Sequence, residues 1–122
     1  MKKLSIVVPC YNEAEVLPLF YSAVEKVVQE MKDVNVEYWL VNDGSSDDTL
    51  GEMRKLHAQA PERVHYVSFS RNFGKEAGLY AGLEAATGDY VVVMDADLQD
   101  PPSFLPRMYA ELQSGEYDCI GT

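Results

Sequence analysis

Short apolar, β-rich runs alternate with helical patterns from one end of the chain to the other, and this alternation admits few folds. Leu4 to Val8 is the first run, stopped by Pro9. Asn12 and Glu15 have capping-box spacing and predict a helix from Glu13 to Met31, with Val16, Leu19, Phe20, Ala23, Val27 and Met31 as its apolar face. Val36 to Val41 reads as the second strand. A helix from Asp47 to Ala60 follows, carrying Leu50, Met53 and Leu56, and Pro61 ends it. Val64 to Phe69 is the third strand. Lys75 to Ala86 is a helix with a small face, Gly78, Ala81, Gly82 and Ala85, able to sit close to a sheet; Thr87-Gly88 is its stop. Tyr90 to Met94 is continuously apolar, the pattern of a strand buried on both faces of a parallel sheet. Asp100 is placed to cap a last helix that opens with Pro101 and Pro102 and ends at Gly115. Tyr117 to Ile120 begins a fifth strand.

The reading is therefore an α/β fold: three layers, α/β/α, around a mostly parallel, Rossmann-like sheet. A length of 122 residues suits one domain and not two. Because the chain stops on an unfinished strand, the expectation is a fragment of a larger protein. With Lys+Arg 10 against Asp+Glu 20, the net charge is -10. That balance argues against general nucleic-acid binding. Cys10 and Cys119 stand far apart, with no Cys/His cluster, which argues against a structural zinc site or a disulfide framework and fits a reduced, cytoplasmic setting. No run approaches the ~20 apolar residues of a membrane helix, and Pro9, Asn12 and Glu13 interrupt any signal peptide opening at Met1. The sequence sets no oligomeric state.

The unusual residues cluster in the loops after the strands, where open parallel sheets bind ligands. With a strand order 3-2-1-4, the first and fourth loops flank the crevice. Asp95-Ala96-Asp97 is the sharpest signal. Carboxylates at i and i+2 of an extended segment point the same way and repel, and a bound Mg²⁺ or Mn²⁺ removes that cost. Gln99 falls on the same side as a neutral oxygen ligand. The plain alternative is a polar strand end with Asp97 as a helix cap. Asp43 either belongs to a turn, with Gly44 permissive and Ser45 or Ser46 capping the next helix, or accepts a hydrogen bond from a base. Asp47 and Asp48 read as first-turn residues. Tyr11 can stack on a base or cover the sheet end; Glu13 can bind ribose or simply sit at a helix start. Gly74-Lys75 can hold an anion, and Lys75 can equally be a solvated surface lysine. Arg71 fits either an anion partner or a structural ion pair. Cys10 reads as a buried filler, and neither His57 nor His65 is assigned chemistry. No GxGxxG follows the first strand and no GxxxxGK[ST] occurs, which disfavours dinucleotide dehydrogenases and P-loop NTPases.

Together, Val7-Val8-Pro9-Cys10-Tyr11-Asn12-Glu13, Val41-Asn42-Asp43-Gly44-Ser45-Ser46-Asp47, Arg71-Asn72-Phe73-Gly74-Lys75 and Asp95-Ala96-Asp97-Leu98-Gln99-Asp100-Pro101 resemble the family 2 glycosyltransferases of GT-A fold, in family order and over nearly the whole chain. The SRNFGKE and DADLQDPP segments look most like the polyprenyl-phosphate subgroup. Asn42 stands where many members carry Asp. The resemblance implies a UDP- or GDP-hexose donor held by Pro9, Tyr11, Glu13, Val41 and Asp43, with Lys75 near its phosphates. It implies a metal on Asp95, Asp97 and Gln99, with Ala96 between them in the donor site. It further implies an inverting transfer to a lipid phosphate or a saccharide, and a parent at the cytoplasmic face of a membrane. Family catalytic domains run longer, so residues 1–122 are expected to be the donor-binding part, inactive or nearly so in isolation. A receiver-like signalling module is the rival reading; it wants acidic residues after the first strand, where only Glu13 stands.

Overall fold

Residues 2–97, 101–114 and 119–121 are described by the structure, a computed structural model. Five strands form one parallel sheet in the order β3-β2-β1-β4-β5: β1 (Lys2–Cys10), β2 (Val34–Asn42), β3 (Val64–Ser68), β4 (Tyr90–Val93) and β5 (Cys119–Gly121). The order reverses direction between β1 and β4, as the expected crevice requires. Gln99, Asp100 and Gly115 lie outside the described residues, so the metal-ligand, cap and stop readings placed on them do too.

The helices α1 (Leu17–Glu30), α2 (Thr49–Gln59) and α4 (Leu105–Gln113) cover one face of the sheet. Leu4, Ile6, Val8, Tyr38, Leu40, Val64, Val92 and Met94 point into that core, meeting Phe20, Val24, Met53, Leu105 and Leu112. Among the described residues, the second face is covered by α3 (Lys75–Ala85). A Cβ on Gly82 would come within 2.4 Å of Val7 Cγ1 and 3.3 Å of Val41 Cγ2. The small residue at this position is what lets α3 lie directly on β1 and β2. A Cβ at Gly78 would make only ordinary contact, 3.6 Å from Val41.

Two expectations fail at the start of α1. The helix begins at Leu17 rather than Glu13, and its buried face is Leu17, Phe20, Val24 and Val28, while Leu19 is two-thirds exposed (66%). Asn12 does not cap it. Asn12 is left-handed, with φ 55°, and its Oδ1 accepts the Ser46 and Asp47 N–H groups at 2.8 and 3.3 Å. The residue that spacing assigned to one helix is thus used by the loop before the next. Nor do the serines cap α2: Ser45 Oγ accepts the Asn12 N–H, and Ser46 Oγ donates to the Asn12 side chain. Nor do Asp47 and Asp48 form the first turn: α2 begins at Thr49, Asp48 stands at its N-cap without a side-chain cap bond, and Asp47 before it accepts the Thr49 N–H at 3.0 Å and the Thr49 hydroxyl.

Candidate functional site

A cavity of about 360 Å³ opens at the carboxyl ends of the strands. The segment leaving β1 supplies Pro9, Cys10, Tyr11 and Glu13; the segment leaving β2 supplies Asp43. Asn72, Gly74 and Lys75 come from the loop and first turn of α3, with Gly78 one turn on; Asp95 and Asp97 follow β4. This is the switch point of the sheet, where parallel α/β folds place ligands. Segments more than eighty residues apart in sequence meet there because β1 and β4 are neighbours.

Asp43 is 4% exposed and holds the loop before α3 in place. Its Oδ1 accepts the Phe73 N–H at 2.8 Å and its Oδ2 the Gly74 N–H at 3.0 Å; its main-chain oxygen accepts the Asn72 amide at 3.2 Å. Each carboxylate oxygen keeps a further lone pair for a ligand. Gly44, at φ 65°, has no room for a side chain: a Cβ would sit 2.1 Å from the Arg71 carbonyl carbon. The turn at 43–44 and the loop at 71–74 therefore form one rigid wall.

The floor is acidic. Burial raises the Glu13 pKa, and the charges of Asp97, Asp95 and Asp47 raise it further. Lys75 Nζ lies 3.2 Å from Asp95 Oδ1. Tyr11, half exposed at 49%, lines the cavity. Burial, followed by the charges of Glu13 and Asp95, pushes the Cys10 thiol far up, so it is an inert wall. Arg71 lies over the Phe73 ring, 4.9 Å from its centroid, rather than lining the cavity.

Among the described residues, no group of three or more His, Cys, Asp or Glu side chains is placed to hold a metal ion. Two carboxylates in the cavity, Asp95 and Asp97, fit a different arrangement. Mg²⁺ and Mn²⁺ are commonly held by one or two protein carboxylates and completed by substrate phosphate oxygens. The acidic donor set and its mutual repulsion suit such an ion.

Of the residues singled out from sequence, Pro9, Tyr11, Glu13, Asp43, Lys75, Asp95 and Asp97 share the cavity. Val41 and Ala96 do not reach it with their side chains. Val41 is fully buried beneath Gly78 and Gly82, and Ala96 is packed in the core on the α1 side. Asn72 and Gly78 line the cavity without having been assigned to it. Their only signal was their place in a quoted loop and in the small-residue face.

The family model for glycosyl transferase family 2 matches residues 5–122. The bactoprenol glucosyl transferase of Shigella phage SfX is 45% identical over 113 residues, 93% of this chain and 36% of that protein. The undecaprenyl-phosphate 4-deoxy-4-formamido-L-arabinose transferase of Proteus mirabilis is 37% identical over 124 residues, 100% of this chain and 37% of that protein. The chain thus spans about a third of the length of these relatives. Among solved structures, glucosyl-3-phosphoglycerate synthase from Mycobacterium tuberculosis, in complex with Mn²⁺, UDP and glucosyl-3-phosphoglycerate, superposes with a TM-score of 0.68 at 25% identity, covering 94% of this chain and 41% of that one. No described helix is long and apolar enough to cross a membrane.

Proposed function

The chain belongs to glycosyl transferase family 2, and from that membership we propose that it is the nucleotide-sugar-binding part of a metal-dependent, inverting hexosyltransferase acting on polyprenyl phosphate. One observation carries the reading: Tyr11, Glu13, Asp43, Lys75, Asp95 and Asp97 face a single cavity at the switch point of the sheet. The acceptor class rests on the bactoprenol and undecaprenyl-phosphate transferases among the relatives.

In this proposal Tyr11 offers a flat face to the base. Asp43 accepts from the N–H edge of the base with its remaining lone pairs, and Glu13 accepts from ribose hydroxyls. Asp95 and Asp97 hold Mg²⁺ or Mn²⁺, which when bound neutralises charge gathering on the leaving diphosphate. Lys75 reaches the same phosphates. An oxygen of the acceptor phosphate attacks the anomeric carbon opposite the diphosphate. The new C–O bond forms as the old one breaks, the electron pair leaves on the nucleoside diphosphate, and the configuration inverts. A phosphate acceptor is already anionic near neutral pH, so the step removes no proton and needs no strong base. Polyprenyl phosphate is a membrane lipid and nucleotide sugars are soluble, which puts the intact protein at the cytoplasmic face of a membrane.

Calorimetric titration with UDP and GDP, with and without Mn²⁺, tests the donor half. Metal-dependent binding of either nucleotide is the expected result, and no binding of either overturns the assignment. Transfer assays of the intact protein with undecaprenyl phosphate and with oligosaccharides test the acceptor half. Transfer to hydroxyls alone overturns the lipid-phosphate reading.

A further inference from the structure

Lys75 is the single cation lining the cavity among the described residues, against four carboxylates, Glu13, Asp43, Asp95 and Asp97. Its ammonium sits 3.2 Å from Asp95 Oδ1, yet its side chain is 70% exposed. Its backbone is anchored. The preceding N–H groups of Phe73 and Gly74 are both bound by Asp43, and the Gly78 N–H donates to the Gly74 carbonyl to close the first turn of α3. A fixed stem with a mobile charged tip can pair with more than one partner within its reach.

We propose that Lys75 is a tethered counter-ion: it occupies Asp95 while the cavity is empty and passes to the donor diphosphate when Asp95 turns to a divalent cation, so that cation and nucleotide bind interdependently. This rests on the donor-site reading above and adds an order of events to it. A doubly charged cation on Asp95 weakens that residue's hold on the ammonium beside it, because the two positive groups repel. A nucleotide diphosphate entering alone meets a surplus of carboxylates. Each ligand is therefore weak without the other, and linkage makes the gain mutual: the factor by which nucleotide tightens the cation equals the factor by which the cation tightens nucleotide. The ion pair is exposed and weak, worth a factor of about two to five in an equilibrium, so it restrains the site without blocking it.

The test compares wild type with Lys75→Met and Lys75→Arg. Mn²⁺ binding is followed by loss of the free-ion paramagnetic resonance signal, alone and with saturating UDP or GDP. Lys75→Met should bind Mn²⁺ alone about two- to fivefold more tightly than wild type. With nucleotide present it should gain nothing, and the coupling between the two ligands should shrink. Lys75→Arg should restore wild-type Mn²⁺ affinity. Unchanged or weaker Mn²⁺ binding by Lys75→Met alone overturns the proposal. So does tightening by the same factor with and without nucleotide, because the lysine would then be a stationary charge. Wild-type protein that binds neither Mn²⁺ nor nucleotide overturns the donor site itself, a result distinct from either of those.

Discussion

Glu37 and Glu13 are carboxylates at opposite ends of the same sheet, and their surroundings are opposite too. Glu37, near the amino ends of the strands, is 2% exposed and surrounded by donors. It accepts the Ser5 hydroxyl at 2.5 Å and the Thr87 N–H at 2.8 Å, and Lys3 Nζ lies 3.2 Å away. Burial alone would push its carboxyl up, but the Ser5 hydroxyl, the Thr87 N–H and hydroxyl, and Lys3 hold it down at about 2. Glu13, at the carboxyl ends, is pushed the other way, by burial and then by Asp97, Asp95 and Asp47. A carboxylate ringed by donors ties the fold together; carboxylates facing one another raise one another's pKa and favour a positive neighbour, as Lys75 is for Asp95. The contrast separates the structural end of this sheet from the end that carries the proposed donor site.

The largest expected effect tests the structural end. Glu37→Ala leaves the Ser5 hydroxyl and the N–H of Thr87 without their acceptor, and should lower unfolding free energy by about 2–4 kcal/mol in urea titrations. The nucleotide affinity of the folded fraction should not change. Lost affinity at full stability would break the comparison. Asp43→Asn belongs to both ends of the argument, since an amide can accept from only one of the Phe73 and Gly74 N–H groups. It should cost about 1–2 kcal/mol of stability and weaken UDP and GDP with and without metal. Asp97→Ala should leave stability nearly unchanged. It should also remove the Mn²⁺-dependent part of nucleotide binding, read by calorimetry; a persistent Mn²⁺ effect would take Asp97 out of the metal site.

The smallest effects concern protons. The lowered Glu37 carboxyl contributes stability that is present above its ordinary 4.5 and lost as pH falls towards about 2. Glu37→Gln should flatten that acid limb of the unfolding curve. Glu13 has the opposite sign: its raised carboxyl costs stability as pH rises through its folded value. Glu13→Gln should therefore stabilise the protein slightly at neutral pH, seen as a small rise in Tm. Destabilisation instead would mean that Glu13 is held by donors, and the two ends would no longer differ in kind.

Much of the site was legible because it sits where strands end. A strand reads as an apolar run, the polar residues just past it must lie at the sheet's carboxyl edge, and Glu13, Asp43, Lys75, Asp95 and Asp97 follow from that placement. Asn12 misled because capping-box spacing describes a local fit, while its actual partners, Ser46 and Asp47, are 34 and 35 residues away. Glu37 gave no signal at all. It stands in the amino-terminal half of β2, and its donors arrive from β1 and from the segment just after α3. The double duty of Asp43 was also hidden, since a sequence shows that an acidic residue is near a turn and not which N–H groups it holds.

The order of residues alone determined the alternation of strands and helices, the parallel sheet, and the gathering of polar loops at one edge. These depend on periodicity and on apolar burial, which are properties of neighbours within a turn or two of chain. Only the tertiary structure decided which polar group answers which: Asp43 with Phe73 and Gly74, Lys75 with Asp95, Gly88 with Ser5 across 83 residues. A hydrogen bond or ion pair is short and directional, so its partner is fixed by where packing sets two segments in space and not by their separation along the chain.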